Sequence, residues 1–232
     1  MTKYWHPKNI KQINDSPGRE YLNEFLYKNL PNFLSAKEIR ILDIGCGSGY
    51  IRKIFYDLGY KLFYDGLDVK KHKDFDKFNK YAVESNFIHS EIENFNTEKK
   101  YNIILSICAL EHIENDITVF PKTCGFLEKN GIQIHIVPSY WSLFLYLRHG
   151  YRRYGPVRLK KMFKTDYIYR LGGLFSFFLH FFFITIPERI FGSRKPFQSK
   201  TYLKLLNIAN KLDPLFPVFS SIYVAISKNQ ND

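Results

Sequence analysis

The chain has few residues that could cross-link it or hold a structural metal, with only three cysteines among 232 residues. Cys46, Cys108 and Cys124 cannot all pair, and their spacing fits no metal site, so a disulfide framework or zinc module is not expected. The opening Met-Thr-Lys-Tyr-Trp-His-Pro contains no apolar signal region. These absences favour a cytoplasmic protein in a reducing compartment.

Two common nucleotide-binding motifs are also missing. The sequence has no Gly-Lys-Ser or Gly-Lys-Thr, which excludes a P-loop, and it lacks the G-x-G-x-x-G spacing of nicotinamide dinucleotide domains. A redox role is therefore disfavoured. There is no internal repeat or low-complexity linker, and the length suits one α/β domain with room for an insertion.

Positive charge is abundant, with a net charge of +12. Residues 148–170, which we call the basic stripe, contain eight Lys or Arg and a single acid, Asp166. Such a stripe indicates an anionic partner, which could be a phosphate-bearing substrate, a membrane surface or nucleic acid. A solvated surface with no partner would give the same pattern.

The most informative segment joins an apolar run at 39–44 to three glycines, Gly45, Gly47 and Gly49. A helix is predicted from near Tyr50, and a second strand over 61–67 delivers Asp68 at its carboxyl end. Glycine permits backbone conformations that a Cβ forbids, and it lets a ligand touch the main chain. The order of strand, glycine turn, helix, strand and acid predicts a nucleotide-binding βαβ unit, with Asp68 placed for a ribose diol.

These residues resemble the class I S-adenosylmethionine (SAM)-dependent methyltransferases. The first family motif is matched by Asp43, Gly45, Cys46, Gly47 and Gly49, and the acid after the second strand by Asp68. The resemblance continues through segments 86–93 and 101–113, so it covers residues 38–138. It implies an α/β, Rossmann-like fold with a seven-stranded, mostly parallel sheet and helices on both faces.

The chain is predicted to form one methyltransferase domain over 1–232. A helical lead-in occupies 1–37, with its helix over 20–30 ended by Pro31, and the SAM-binding core occupies 38–138. The strands of this core are predicted at 39–44, 61–67, 86–89, 101–107 and 131–137, with a helix over 122–129 stopped by Asn130-Gly131. An aromatic and basic insertion follows at 139–200, then a helix over 202–212 and an antiparallel last strand over 221–227.

The resemblance implies SAM as the cofactor and a set of contacts to it. The glycine turn, with Asp43 and Cys46, would lie against the methionine portion, and Asp68 with Val69 against the ribose. Glu91 is the expected adenine partner and Ile92 an apolar wall, although Glu91 could equally be a solvated acid. Ser106 and Ile107 would sit beside the reactive methyl group. No metal site is predicted, although Glu111 with His112 remained a possible pair of metal ligands.

Methyl transfer needs an oriented nucleophile and a route for its proton, and a histidine near neutral pKa is a natural base. The catalytic candidates are His112 after the fourth strand, and Tyr140 and His149 in the insertion. His112 could instead cap the following helix. His135, within the fifth strand, is expected to be a packed core residue.

Segment 106–112 lacks the Asn/Asp-Pro-Pro-aromatic motif of nucleic-acid amino-methyltransferases, so no nucleic-acid partner is expected. The insertion resembles small methyltransferases of bacterial surface-polysaccharide pathways, which implies a saccharide or phosphate-bearing acceptor. A lipid or quinone acceptor at the membrane surface, and a non-catalytic SAM-fold binding protein, are the alternatives. Segment 171–187 carries no charge. It favours a pocket-lining helix or a helix in the membrane interface over a membrane-spanning one, because it is short and interrupted. The oligomeric state is left open.

Overall fold

The computed structural model describes residues 2–11, 15–146, 150–165, 167–192 and 199–228. The strands in this part of the chain are β1 (Thr2–Trp5), β2 (Glu38–Ile44), β3 (Lys61–Asp68), β4 (Glu84–His89), β5 (Tyr101–Ile107), β6 (Leu127–Pro138), β7 (Tyr167–Leu171) and β8 (Ile222–Lys228). The helices are α1 (Pro17–Phe33), α2 (Ile51–Asp57), α3 (Asp116–Cys124), α4 (Pro156–Phe163), α5 (Leu174–Phe191, with a π-helical turn at Phe181–Thr185) and α6 (Lys200–Leu212).

The strands form a single sheet in the order β1-β7-β8-β6-β5-β2-β3-β4. Only β8 runs antiparallel to its neighbours, β6 and β7, and the other pairings are parallel. Hydrophobic clusters cover both faces, as expected for parallel strands connected by helices. The predicted α/β, Rossmann-like fold and its antiparallel last strand are confirmed.

The sheet has eight strands among the described residues, so the predicted count of seven is wrong by one. The additional strand is β1, which pairs in parallel with β7 at the edge of the sheet. It has only four residues and no alternation of buried and exposed positions. Its pairing depends on β7, whose paired residues lie 166 positions away in sequence, so local patterning gives no sign of it.

The predicted insertion at 139–200 contains regular parts of the sheet. Its residues Pro156–Phe163 form α4, and Tyr167–Leu171 form β7, which pairs with β8 from Tyr167↔Ile226 to Leu171↔Ile222. The interruption of the Rossmann-like pattern is therefore confined to the loops around α4 and to α5. The aromatic residues of 140–144 and of α5 remain the unusual part.

Two predicted helix boundaries are wrong. Helix α1 continues through Pro31 to Phe33, where the Leu34 N–H closes the helix on the Leu30 carbonyl at 3.2 Å. The helix predicted over 122–129 ends at Cys124, and Leu127 already pairs with Tyr101 in the sheet. The turn signal Asn130-Gly131 marks an irregularity within β6 instead, with Asn130 at φ 67°. The helix predicted over 202–212 is confirmed as α6.

The parallel strands end along one edge of the sheet, which positions the candidate site. Asp68 lies at the end of β3 opposite His89 of β4, and Ile44 of β2 lies opposite Ser106 of β5. Ligands of open α/β sheets bind outside the carboxyl ends of the strands. The loops that follow β2, β3, β4 and β5 meet there.

Candidate active-site cleft

The glycine turn after β2 has the geometry that its sequence predicts. Gly45 adopts φ +66°, and its N–H donates to the Leu67 carbonyl at 2.8 Å, which ties the turn to β3. A Cβ on Gly45 would overlap the Cβ of Ala109, because the segment after β5 crosses close to the turn. Gly47 and Gly49 also have positive φ angles. The turn therefore exposes main chain at a point where a side chain could not fit.

A buried arginine stabilises the glycine turn through hydrogen bonds to its carbonyl groups. Arg52 of α2 is 0% exposed, and its guanidinium donates to the carbonyls of Gly49 at 3.0 Å, Ser48 at 3.0 Å and Phe75 at 2.6 Å. Its ring contacts are Tyr64 and Phe75. Arg52 was not predicted as a structural residue, although its position between the apolar Ile51 and Ile54 in a short helix was a signal.

Asp43, at the end of β2, is also enclosed. It is 3% exposed, and the Tyr64 hydroxyl donates to its Oδ2 at 2.6 Å. Burial raises the pKa of Asp43 to about 7, and the hydrogen bond from Tyr64 and the nearby Arg52 charge limit the rise. The buried Asp43 carboxylate packs beneath the glycine turn. It could act on a ligand only indirectly, through the main chain of the turn or through a bridging water.

Asp68 lies at the cleft itself. Its Oδ2 accepts from the Gly47 N–H at 2.9 Å, and its Oδ1 accepts from the Lys70 N–H at 3.2 Å. The carboxylate thus connects the glycine turn to the end of β3 and keeps acceptor capacity for a diol.

An open cleft of about 980 Å³ runs past this carboxylate. Among the predicted cofactor residues, Gly45, Asp68, Val69, Glu91 and Ile92 line it. The cleft combines an apolar wall, a carboxylate for ribose hydroxyls and a second acid, and these features fit a nucleoside with an attached amino acid.

Three other predicted cofactor contacts face elsewhere. The Ser106 hydroxyl is 0% exposed and shares a 2.8 Å hydrogen bond with His135 Nδ1, so its side chain does not face the cleft, and the predicted place of Ser106 beside the methyl group stays a prediction for its main chain. Ile107 packs against the core, and the Cys46 thiol is 93% buried, with burial raising its pKa. These two residues can contribute main-chain atoms only. Successive side chains of a β-strand point to opposite faces of the sheet, and the Ser106 side chain points to the face that carries His135.

His135 is a core residue, as predicted. Its ring is fully buried and stacks on Phe163 with the centroids 4.5 Å apart, and Nε2 hydrogen-bonds Gln133. Burial lowers the pKa of His135 to about 3, so the ring is neutral at physiological pH.

Of the three predicted catalytic residues, His112 lines the cleft, close in sequence to Cys108 and Ala109, which also line it. Partial burial lowers the pKa of His112, and the charge of Arg153 lowers it further, so the imidazole is neutral at pH 7. Tyr140 is 58% exposed, and its ring packs on Gly155 beyond the cleft. His149 lies outside the described residues.

Part of the basic stripe is structural. Arg152 donates to the carbonyls of Ile113 at 2.6 Å and Glu114 at 2.8 Å, and it pairs with Asp116 at 3.1 Å. Arg158 also pairs with Asp116 at 2.8 Å. These contacts hold the loop after β6, together with α4, against the segment after β5. The positive charge of Arg152 in the basic stripe is therefore engaged within the chain.

Comparison with known proteins agrees with this geometry. The profile described as "Methyltransferase domain" matches residues 19–166, which is more than half of the chain. The protein therefore belongs to the methyltransferase-domain family. The predicted membership in the class I SAM-dependent methyltransferases is confirmed, and SAM as the cofactor is confirmed at the level of that family.

The curated relatives include two kinds of O-methyltransferase. A ubiquinone biosynthesis O-methyltransferase of Pelagibacter ubique is 35% identical over 140 residues, which cover 56% of this chain and 57% of the relative. The malonyl-[acyl-carrier protein] O-methyltransferase 1 of Ilyobacter polytropus is 30% identical over 104 residues, or 42% of this chain and 37% of the relative. The chain spans about half the length of the curated relatives it matches.

Solved structures share the fold over most of the chain. A SAM-dependent methyltransferase from Archaeoglobus fulgidus has a TM-score of 0.56 at 16% identity, covering 90% of this chain and 94% of its own. The 1,6-didemethyltoxoflavin-N1-methyltransferase of Burkholderia thailandensis, with bound S-adenosylhomocysteine, has a TM-score of 0.55 at 12% identity. The match covers 94% of this chain and 80% of that structure. At these identities the likeness establishes the fold alone.

Proposed function

We propose that this methyltransferase binds SAM in the cleft beside the glycine turn and methylates a hydroxyl group on a small, lipid-like acceptor. The observation that carries the proposal is the joint placement of Gly45, Asp68 and His112 around one cleft. Main-chain atoms of the turn face the methionine portion, Asp68 accepts hydrogen bonds from the ribose hydroxyls, and Glu91 accepts one from the adenine amino group.

When bound, SAM supplies an electrophilic methyl group on a positively charged sulfur. The protein's task is therefore to orient the acceptor oxygen in line with that methyl group and to accept its proton. His112 follows β5 at the carboxyl edge, where the methyl group would lie. Its lowered pKa leaves the ring neutral, so a ring nitrogen can accept a hydrogen bond from the acceptor hydroxyl.

We propose a ring hydroxyl on a quinone-type acceptor with an apolar tail. Several relatives are named as ubiquinone biosynthesis O-methyltransferases, which motivates the choice. The protein supports it with an apolar surface outside the cleft lining, where Trp141 packs against Phe219 with the ring centroids 4.3 Å apart and the exposed Phe178 of α5 also contacts Phe219. Such a surface suits a hydrocarbon tail better than a saccharide.

Replacing Asp68 by alanine should weaken SAM binding by about 1.5–3 kcal/mol, or roughly 10- to 150-fold, because a charged acceptor for two hydroxyls is lost. Isothermal titration of SAM measures the change. Replacing Asp76, which is exposed on the turn after β3 and pairs with Lys71 at 2.8 Å, is the matched control. Unchanged SAM affinity in a folded Asp68→Ala variant would remove the ribose assignment.

We further propose that α5 lies on a membrane surface and presents the cleft to lipid-like acceptors. Among the described residues, one helix, Leu174–Phe191, is long and apolar enough to cross a membrane by length and composition alone, and 28% of it is buried. Phe182 is 55% exposed and Phe183 40%, whereas Phe177 is buried against the domain. A helix with one buried face and one exposed aromatic face suits the interface better than a span.

Replacing Phe182 and Phe183 together by serine should reduce binding to vesicles of mixed neutral and anionic phospholipid, because two exposed rings no longer enter the headgroup region. Vesicle flotation measures the bound fraction. Val83→Ser, at an apolar position just before β4 that is 65% exposed, is the control and should leave binding unchanged. Equal flotation of the double variant and wild type would contradict a role for α5.

A further inference from the structure

The protein has a second groove, which shares no lining residue with the candidate active-site cleft. Its volume is about 780 Å³, and its walls come from α3, α4, β6 and the end of β8. The cleft lies at the carboxyl edge of the parallel strands, whereas the groove reaches Leu127, the first residue of β6. Small-molecule sites typically have volumes of ~300–1,000 Å³, so the groove is large enough to hold a ligand.

The inner wall of the groove is apolar. Phe120 of α3, Leu127 of β6 and Met162 of α4 line it, and each is 8% exposed or less. Ile117, one turn before Phe120 on α3, also lines the groove and is 57% exposed. A ligand that covers these side chains removes apolar surface from water, which favours binding of an apolar chain.

Every charged side chain that lines the groove is positive. The four cations are Arg158 of α4, Lys161 of α4, Lys164 directly after α4 and Lys228 at the end of β8. Three of them belong to the basic stripe, and no acid lines the groove. A concave surface lined by charge of one sign concentrates ions of the opposite sign. The groove therefore selects anions.

Three of these cations have no acidic partner. Arg158 pairs with Asp116 at 2.8 Å, although its Nε–H is buried and donates to no acceptor. Across the described ranges of the chain, no acid forms an ion pair with Lys161, Lys164 or Lys228. The lysine part of the basic stripe thus differs from Arg152 and Arg158, whose charges are engaged within the chain.

The charge of Lys164 acts on the interior of the groove. Cys124 lines the groove, and Gln133 Nε2 donates to its Sγ at 3.3 Å. Burial raises the pKa of the Cys124 thiol, and this hydrogen bond and the Lys164 charge limit the rise. Lys164 ends α4 at φ +45°, an uncommon conformation for a residue other than glycine. The lysine charge and the apolar wall are therefore close enough to act on one molecule.

We propose that this groove binds a phosphate monoester that carries an apolar chain. A phosphate monoester has about −1.5 to −2 charges at pH 7, which suits three unpaired lysines better than a single carboxylate does. Its chain would lie against Phe120, Leu127 and Met162. This second site is separate from the SAM cleft, and it does not depend on the methyl acceptor proposed above.

Calorimetric titration with octyl phosphate, kept below its micelle concentration, tests the site. S-adenosylhomocysteine is present at saturation so that the active-site cleft is occupied. We expect one octyl phosphate per chain, bound at least about tenfold more tightly than inorganic phosphate or 1-octanol. Inorganic phosphate lacks the chain and 1-octanol lacks the charge, so each loses one of the two contributions to binding.

Replacing Lys161 and Lys164 together by glutamine should weaken octyl phosphate binding about tenfold, because two of the three unpaired charges are lost. Replacing Lys28 and Lys73 together by glutamine is the matched control. It removes the same charge from exposed positions outside the groove and should leave the affinity unchanged. All four lysines are exposed, so both double variants should fold.

Alkylation of the cysteines locates the ligand independently. Cys124 lines the groove and Cys108 lines the active-site cleft. Saturating octyl phosphate should slow the reaction of Cys124 with iodoacetamide at least about threefold, since a bound chain covers the thiol, and should leave the rate at Cys108 unchanged. Peptide mass spectrometry measures both rates on the same sample.

Three results would overturn the inference. Octyl phosphate that binds no more tightly than inorganic phosphate or 1-octanol shows an adventitious ion only, or an apolar contact only. Equal weakening in the two double variants shows a general attraction to a positively charged protein. Unchanged alkylation of Cys124 at saturation places the ligand elsewhere. Each result leaves the methyltransferase proposal standing, because the groove and the cleft share no lining residue.

Discussion

Replacing Arg52 by methionine should destabilise the fold by about 3–5 kcal/mol, among the largest effects of any single substitution here. Methionine fills much of the volume but removes the guanidinium donors to the carbonyls of Ser48 and Phe75, whereas the Gly49 carbonyl keeps the backbone N–H of residue 52 as a donor. An unsatisfied buried acceptor costs about 1–3 kcal/mol, and two carbonyls lose the guanidinium as their donor. The free energy of unfolding from urea titration measures the effect.

The neighbouring Lys53→Met variant is a matched control for Arg52. Lys53 is on the exposed side of α2 and forms a surface pair with Asp57, four residues later. Surface pairs contribute about 0–1 kcal/mol, so this variant should unfold close to wild type. Equal stability of the two variants would show that the Arg52 hydrogen bonds do not support the glycine turn.

Replacing His112 by glutamine should lower turnover about 10²-fold while SAM affinity stays nearly constant. Glutamine keeps hydrogen-bonding atoms but places them differently, and a misplacement of about 1 Å can cost 10²-fold in rate. Single-turnover methyl transfer, with calorimetry of SAM binding on the same protein, separates the two effects.

Asn115→Ala provides the comparison for His112, because Asn115 also lines the cleft but lies further along the chain, at the N-cap of α3. It should retain most of the activity. His112→Gln with turnover within about threefold of wild type would reduce His112 to a residue that shapes the turn. Tyr140 and His149 would then be the remaining predicted candidates.

The geometry of the glycine turn and the position of Asp68 could be predicted from the sequence, since their signals are local. Gly45, Gly47 and Gly49 follow directly on a strand, and each has the positive φ that glycine spacing suggests. Asp68 ends the next strand and reaches the Gly47 N–H. Neighbours in sequence are neighbours in space here, so pattern and geometry agree.

Other features of the fold could not be predicted from the sequence, because the contacts that produce them join segments that are distant along the chain. Arg152 belongs to a run of positive charge, which indicated an anionic ligand, yet Asp116 and two carbonyls from another loop use its guanidinium. Strand β1 exists only because β7 offers an edge. The Ser106 side chain faces inward because of its register with β6, opposite His135. None of these facts has a local signature.

Binding of SAM is the central claim, and titrating the protein with SAM, followed by displacement with S-adenosylhomocysteine, tests it most directly. The account predicts one saturable site per chain, competitive displacement, and at least about tenfold weaker binding in Asp68→Ala. A folded protein that binds neither compound, or that binds both unchanged after loss of the Asp68 carboxylate, would contradict it.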